Sequence, residues 1–283
     1  MRPSALARLF PSRHRGVTLA GALVIGALAL VAALAPWIVP GSPTEIAKDH
    51  ALRPPTLAQP FGMDDLGRSI LSRVAHAYRV SLGVAVASVL LALAVGVPLG
   101  LIAGYAEGAL DQLIMRPLDV LMSFPAILLA IALMAVFGTG VLLVAASLAV
   151  VYTPIVARVV RAAVLAAKVE VYVDGARSLG ASIPRVIVRH ILPNAATPVL
   201  VQASVLMAIA ILVEASLSFL GVGARPPTPS LGLMLADGRG FMVQAPWMVV
   251  FPGLAIMAAV LGFNMVADGL RDWLDPQQAA GRS

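Results

Sequence analysis

Cutting the chain at every Asp, Glu, Lys and Arg exposes long uncharged apolar runs. Residues 17–39 lie between Arg15 and Glu45, residues 80–106 between Arg79 and Glu107, and residues 240–267 between Arg239 and Asp268. From residue 191 to residue 224 the one charge is Glu214. A helix that crosses a bilayer needs about 20 apolar residues, each rising ~1.5 Å, and each of these runs is long enough. The run 120–157 is too long for one crossing, roughly 57 Å as a single helix. Gly138-Thr139-Gly140 near its middle offers a tight turn, so it reads as two helices. The pattern predicts six membrane-crossing helices.

Composition agrees with that picture and narrows it. Of 283 residues, 60% are hydrophobic and 12% charged, and the mean hydropathy is +0.93. Soluble domains hold about 45–50% apolar and about 25% charged residues. A soluble enzyme with a polar shell is excluded, as is a disordered chain. Gly and Pro show no three-residue period and there is no cysteine, which removes collagen-like and disulfide-scaffold classes. The lack of cysteine does not discriminate between compartments. What remains is an all-α, polytopic integral membrane protein.

The first apolar run has a second reading as a secretory signal peptide, since Arg13 and Arg15 precede it and Ala33-Leu34-Ala35 resembles a cleavage box. Its length exceeds the roughly 7–15 residues of a signal core, and Pro36 would follow the cut. Both features favour a retained helix. With the N-terminus inside, 13 of the 20 Lys and Arg residues fall on inside segments and seven on outside segments, which predicts cytoplasmic N- and C-termini. The pI near 10.5 then follows from topology. A nucleic-acid partner would call for a basic face with interleaved aromatics, and none is found.

Catalytic signatures are absent. Lys48 and Lys168 each follow an alanine, so there is no GxxxxGK[ST] phosphate loop, and any ATP chemistry belongs to another chain. His14, His50, His76 and His190 are isolated, with no metal-ligand spacing. There is no Gly-x-Ser-x-Gly elbow and no pair of carboxylates within the runs. No catalytic, cofactor-binding or metal-ligating residue is predicted.

Four features carry candidate function. The inside stretch 158–195 reads as a helix over 162–179, a left-handed cap at Gly180, and a second short helix opening at Pro184 and running through Arg185, Arg189 and His190 to Leu192-Pro193-Asn194. Its turn is built from small residues, Gly175, Ala176, Gly180, Ala181 and Ser182, which let another protein approach the backbone. The bland alternative is a solvated loop. Glu214 is the one ionisable side chain inside a predicted run, a candidate for the substrate path or for pairing between helices, with pairing favoured. Gly96, Gly100 and Gly104 recur every four residues and permit close helix packing, within the bundle or at a subunit interface. The outer loop holding Arg225, Pro226, Pro227, Asp237 and Arg239 is a docking surface or a stiff linker. The 11 methionines are scattered and read as filler.

These segments bear a resemblance. The run Tyr172-Val173-Asp174-Gly175-Ala176-Arg177-Ser178-Leu179-Gly180-Ala181-Ser182, continuing to His190-Ile191-Leu192-Pro193-Asn194, resembles the "EAA" loop of ABC importer permeases, whose pattern is Glu-Ala-Ala, three residues, Gly, nine residues, Ile-x-Leu-Pro. Asp174 replaces the Glu, Gly175 the first Ala, and His190 stands at the Ile. Phe61-Gly62-Met63-Asp64-Asp65-Leu66-Gly67-Arg68-Ser69, then Ser72-Arg73, is similar to the segment before the second helix of dipeptide, oligopeptide and nickel permeases. Glu214-Ala215-Ser216-Leu217-Ser218-Phe219-Leu220-Gly221, with Pro226-Pro227-x-Pro229-Ser230-x-Gly232, resembles the fifth helix and outer loop of that group. Ala267-Asp268-Gly269-Leu270-Arg271-Asp272 and Asp275-Pro276 match its C-terminal end. The long outer segment after the first helix resembles the second, "C"-type, permease of a peptide-transporter pair.

The resemblance implies a type I ABC importer transmembrane fold and half of a translocation pathway for di- or oligopeptides, with nickel or another small solute as the alternative. It implies a second homologous permease, one or two cytoplasmic ATPase subunits carrying ATP and magnesium, and a periplasmic or lipid-anchored binding protein, all at a bacterial inner membrane. Asp174, Gly175, Ala176, Arg177, Gly180, Ala181 and Pro193 would form the ATPase-coupling loop. The expected organisation is a tail (1–16), a peripheral first helix (17–39), an outer segment with a short helix (40–79), a five-helix core (80–268) with the coupling loop at 162–194, and a tail (269–283). The rivals are a non-transporting membrane scaffold and a secondary transporter, which would show inverted repeats; no convincing repeat is present.

Overall fold

The computed structural model describes residues 15–39 and 42–274. Its helices, in chain order, are α1 (Arg15–Ile38), α2 (Ile70–Ala106), α3 (Gly108–Met122), α4 (Ala126–Phe137), α5 (Val141–Ala167), α6 (Val171–Ser178), α7 (Ile183–Val186), α8 (Leu192–Phe219), α9 (Leu231–Gly238) and α10 (Trp247–Leu274). No strand occurs among the described residues; an isolated bridge pairs Met63 with Ser69. Five stretches are long and apolar enough to span a membrane: Gly16–Trp37, Ile70–Ala106, Val141–Ala167, Ile183–Phe219 and Trp247–Asp272. The pair α3–α4 makes a sixth when taken together, although it bends by 94°.

That bend breaks the third expected crossing into two helices, so length and composition allow five crossings or six. α4 has 12 residues, about 18 Å, which is short of a ~30 Å hydrocarbon core. Pro125 is the N-cap of α4 and disfavours helical backbone at Phe124, so the apolar run breaks just before it. Residues 108–117, between the uncharged runs 80–106 and 120–157, lie in α3. Two ion pairs strap α3 to α5, Asp111 with Arg161 through two 2.6 Å contacts and Asp119 with Arg158 at 2.6 Å, and a third joins their caps, Glu107 with Lys168.

Charges misplace two further boundaries. α2 begins at Ile70, so the outer segment ends ten residues before the expected 79. Ser69 caps the helix by accepting from the Ser72 N–H, and Arg73 enters the helix buried because its charge is paired. The span that ends at Phe219 begins at Ile183, because the second short helix of the loop runs straight into α8. The join is a π turn at Ile187–Ile191. Pro193, which has no N–H to donate and would crowd an ordinary preceding turn, follows that wider turn directly. The tails expected at 1–16 and 269–283 fall partly outside the described residues, as does Asp275-Pro276; residues 269–274 belong to α10.

The core lies between α2, α5 and α8, where Val84, Val89, Leu148, Tyr152, Leu206 and Ile211 are fully buried. Gly96, Gly100 and Gly104 form the seam of α2 against α5. A Cβ on Gly100 would stand 2.4 Å from the Ala157 carbonyl oxygen and 2.7 Å from Val160 Cβ; at Gly96 and Gly104 it would meet Val156 and Val164 at 2.8 Å. The glycine stripe is therefore used inside this chain. α1 is peripheral but closely seated, since Gly21 faces Met265 and Gly262 faces Ile25 at distances that admit no methyl group. Leu19, Leu23 and Leu30 on its other side are exposed.

Candidate functional site

At one end of the bundle stand α6 and α7, whose turn was expected from Gly180 and Pro184. Gly180 has φ +80°; its N–H donates to the Arg177 carbonyl and that of Ala181 to Ala176, which is the Schellman closure of a helix C-terminus. Pro184 lies in the first turn of α7. The helix expected over 162–179 is broken at Lys168–Glu170. Lys168 caps α5 and turns back to Glu107 and the Gly104 carbonyl, and α6 restarts at Val171.

α6 is fixed on its inner side and open on its outer one. Val173 is fully buried, the Arg177 guanidinium lies 5.4 Å from the Tyr105 ring centre, and the Asn194 amide donates to the Tyr172 hydroxyl at 2.8 Å. Asp174 is exposed, with Arg177 3.7 Å away. A Cβ at Gly175 or Gly180 would meet nothing within 4 Å. Around these residues Val169, Val171, Leu179, Ile183 and Val188 are all exposed. Leu179, at 90%, is bare. The structure thus gathers Asp174, Gly175, Ala176, Arg177, Gly180 and Ala181 on one knob. Pro193 lies beyond it, at the start of α8. The apolar rim of this knob went unread in the sequence, where Val171, Leu179 and Ile183 look like ordinary helix positions.

At the opposite end, Glu214 is 1% exposed and wholly engaged. Ser81 of α2 donates to one carboxylate oxygen at 2.7 Å; Ser218 and Ser230 donate to the other at 2.8 and 3.0 Å. Ser218 also accepts the Ala224 N–H. The carboxylate pins the segment entering α9 onto α2 and α8. Pairing, rather than an open path position, is the reading its surroundings support.

A second polar knot binds the other end of α9. Asp64 is buried; one oxygen accepts the N–H groups of Leu66 and Arg68 at 2.9 and 2.8 Å, and the other accepts from the side chains of Arg68 and Arg73. Arg73 reaches on to Asp237 at 3.4 Å. Burial lifts the Asp237 carboxyl above the usual carboxylate range, against the opposing pull of Arg73. Of the five residues expected in a docking loop, Arg225, Pro226, Pro227 and Arg239 are exposed, and Asp237 belongs to this knot. Asp64 and Arg73 were in view only as parts of a motif; their distance from Asp237 in sequence hid the contact.

Removing Arg73 leaves Asp64 buried with the Arg68 guanidinium and two backbone N–H groups. Arg73→Ala is expected to cost about 1–3 kcal/mol, read as a fall in the melting temperature of the detergent-solubilised protein and as new protease sensitivity in 42–69. Asp237→Asn, at a longer and more open contact, is expected within about 1 kcal/mol of the parent. Equal effects of the two would show that the knot is not organised around Asp64.

Comparisons with known proteins agree with this architecture. The model of the family described as "Binding-protein-dependent transport system inner membrane component" matches residues 96–279. The dipeptide transport system permease protein DppC of Alkalihalophilus pseudofirmus is 42% identical over 261 residues, which is 92% of this chain and 86% of that protein. The glutathione transport system permease protein GsiD of Escherichia coli is 45% identical over 271 residues, 95% of this chain and 89% of that one. Among solved structures, a chain of the MetNI methionine ABC transporter in an inward-facing conformation superposes with a TM-score of 0.54 at 15% identity, covering 70% of this chain and 96% of that one. A chain of an amino acid ABC transporter with histidines gives 0.53 at 16%, covering 68% and 89%. At that identity the two structures speak for the fold. By the family model and by its relatives, this multi-pass membrane chain belongs to the inner-membrane components of binding-protein-dependent transport systems, the permease subunits of ABC transporters.

Proposed function

We propose that the chain is one of two permease subunits of an ATP-driven importer of di- or oligopeptides in a bacterial inner membrane, with both termini cytoplasmic. The substrate class is taken from relatives that are named for dipeptide, peptide and glutathione transport. The excess of Lys and Arg on the inside segments supports the orientation. It puts the α6–α7 knob in the cytoplasm and α9 with residues 42–69 on the outside. ATP and magnesium are assigned to the partner ATPases, and solute delivery to a binding protein that meets the exposed Arg225–Pro227 turn.

The observation that carries the reading is the apolar rim of the knob. In cytoplasmic water, Val171, Leu179 and Ile183 exposed around two open glycines make an unfilled contact surface. A protein cleft that closed over them would bury apolar area and bear on a stiff lever, since α7 continues through the π turn into α8. Motion of the ATPase would so reach the span. Asp174 and Arg177, exposed and 3.7 Å apart, contribute little to folding and remain available to a partner.

The test is to tag the chain, solubilise native membranes in mild detergent and identify what co-purifies. A second permease, one or two ATPases and a binding protein are expected, and binding of labelled peptides to that binding protein then identifies the solute. A chain that comes down alone after crosslinking would sink the proposal in favour of a scaffold. Leu179→Asp is expected to lower ATPase recovery about tenfold or more, as the loss of a central contact residue does, with the permease partner retained. Gly175→Ala, which restores the Ala of the family pattern and favours the isolated helix by about 1 kcal/mol, is expected to leave ATPase recovery intact. Full recovery with Leu179→Asp would remove the knob from the interface.

A further inference from the structure

We infer that the cytoplasmic half of the bundle holds an anion-binding cradle, formed by Arg271, Gln202 and Thr197, that takes the terminal carboxylate of the peptide on its way in. The inference rests on the peptide-importer reading above. A cavity of about 470 Å³ lies between α5, α8 and α10, lined among others by Val159, Thr197, Pro198, Gln202, Val205 and Arg271. Its volume falls within the ~300–1,000 Å³ of small-molecule pockets. No acidic side chain lines it.

Three features make it a place for an anion. First, the Arg271 side chain enters no hydrogen bond or ion pair among the described residues, as is also true of Arg79, Arg185, Arg189, Arg225 and Arg239, and Arg271 is the one of these that lines this cavity. Arg271 also borders a second cavity, on its α1 side, together with Asp268 and Asp272. Second, an amide and a hydroxyl from α8 share the wall with the guanidinium. An arginine fork with neutral donors beside it matches a planar carboxylate. Third, the cavity sits at the inner edge of the hydrocarbon core, where water and ionic groups meet: Gln202 lies roughly 25 Å along α8 counting from Phe219, and the exposed Arg271 roughly 36 Å along α10 counting from Trp247, against a core of ~30 Å.

The cavity also leads somewhere. Pro198 is shared with a second cavity of about 400 Å³, which runs down the α5–α8 seam past Ala163 and Ala167 to Glu170, Tyr172 and Asn194. Those last residues hold α6 in place. A peptide carboxylate released from Arg271 therefore moves along a small-residue trough toward the knob that the ATPase drives, and Glu170 at the trough's end repels it from a second stop. Apolar Val159, Val201 and Val205 beside the cradle accept side chains without selecting among them, which fits a pathway that leaves selection to the binding protein.

The experiment uses the complete transporter, reconstituted in proteoliposomes with its partner permease, ATPases and binding protein, and a radiolabelled dipeptide as probe. Arg271→Gln is expected to lower the initial uptake rate about tenfold, the loss of one charge-assisted contact. ATP hydrolysis stimulated by the loaded binding protein should stay within about twofold of the parent. Arg271→Lys, which keeps the charge but loses the two-donor fork, should recover only part of the uptake, and Gln202→Ala should fall between Arg271→Gln and the parent. Uptake unchanged in Arg271→Gln overturns the cradle and leaves the importer standing. Loss of stimulated hydrolysis in step with uptake overturns it too, by placing Arg271 in coupling. A phospholipid that co-purifies with the parent and is lost from Arg271→Gln without a change in uptake overturns it in favour of a headgroup. A parent complex that hydrolyses ATP but carries no dipeptide overturns the peptide reading itself, and the cradle with it.

Discussion

Gly100→Val is expected to keep α2 from seating on α5 and so to remove most of the folded permease from the membrane. The Cβ of any residue at this position would stand 2.4 Å from the Ala157 carbonyl oxygen. That obstacle is backbone, which cannot rotate away as a side chain does. Overpacking a core costs about 1–3 kcal/mol when side chains can adjust. Here the helices must separate, and the adjoining contacts of Gly96 with Val156 and Gly104 with Val164 are lost with them. A loss above about 3 kcal/mol is a large part of a total near 5–15 kcal/mol. The measurement is membrane-inserted yield and melting temperature in detergent. Gly83→Val is the control, because Gly83 lies on the same helix and a Cβ there meets nothing within 4 Å. Equal yield and stability for the two variants would show that the seam does not hold α2.

The seam was half legible beforehand. A four-residue glycine repeat announces a face that something approaches closely, but spacing cannot identify the partner; Val156, Val160 and Val164 are about 60 positions away in sequence and look like ordinary apolar residues. The turn at Gly180 and Pro184 was fully legible, since a left-handed cap and a first-turn proline act on their immediate neighbours. The helix boundaries were legible only where charges are solvated. Treating each arginine as the end of a span ignores that a guanidinium enters a helix once a carboxylate meets it. Arg73 does so with Asp64, and Arg158 and Arg161 with the acids of α3. The same pairing straps the charged stretch between the runs 80–106 and 120–157 to α5 as a helix. Glu214 was marked by its isolation, but its three partners are serines, a residue type that carries no signal at a distance.

Those partners give Glu214 the second large expected effect. Glu214→Ala deprives the hydroxyls of Ser81, Ser218 and Ser230 of a common acceptor and opens a void where a carboxylate stood. Hydrogen bonds to a charged group contribute about 1.5–3 kcal/mol each, and buried donors left unmade add a cost of their own. The three are coupled through one group, so their values do not add, and a loss of roughly 3 kcal/mol or more is expected. Glu214→Gln keeps one strong acceptor, and its amide N–H can donate to a serine hydroxyl that rotates to receive it. About 1 kcal/mol is expected there. The functional consequence follows from position. Ser230 precedes α9, so the alanine variant frees that end of α9 while the Asp64–Arg73 knot still holds the other. Limited proteolysis should then cut within 222–230 in Glu214→Ala and spare the parent and Glu214→Gln. Uptake should fall with the alanine variant and persist with glutamine, because the carboxylate's work is to pin the loop rather than to meet solute. A glutamine variant that kept its melting temperature and its protease resistance yet carried no solute would reverse that conclusion, since only the charge would then have been removed and only transport would have responded.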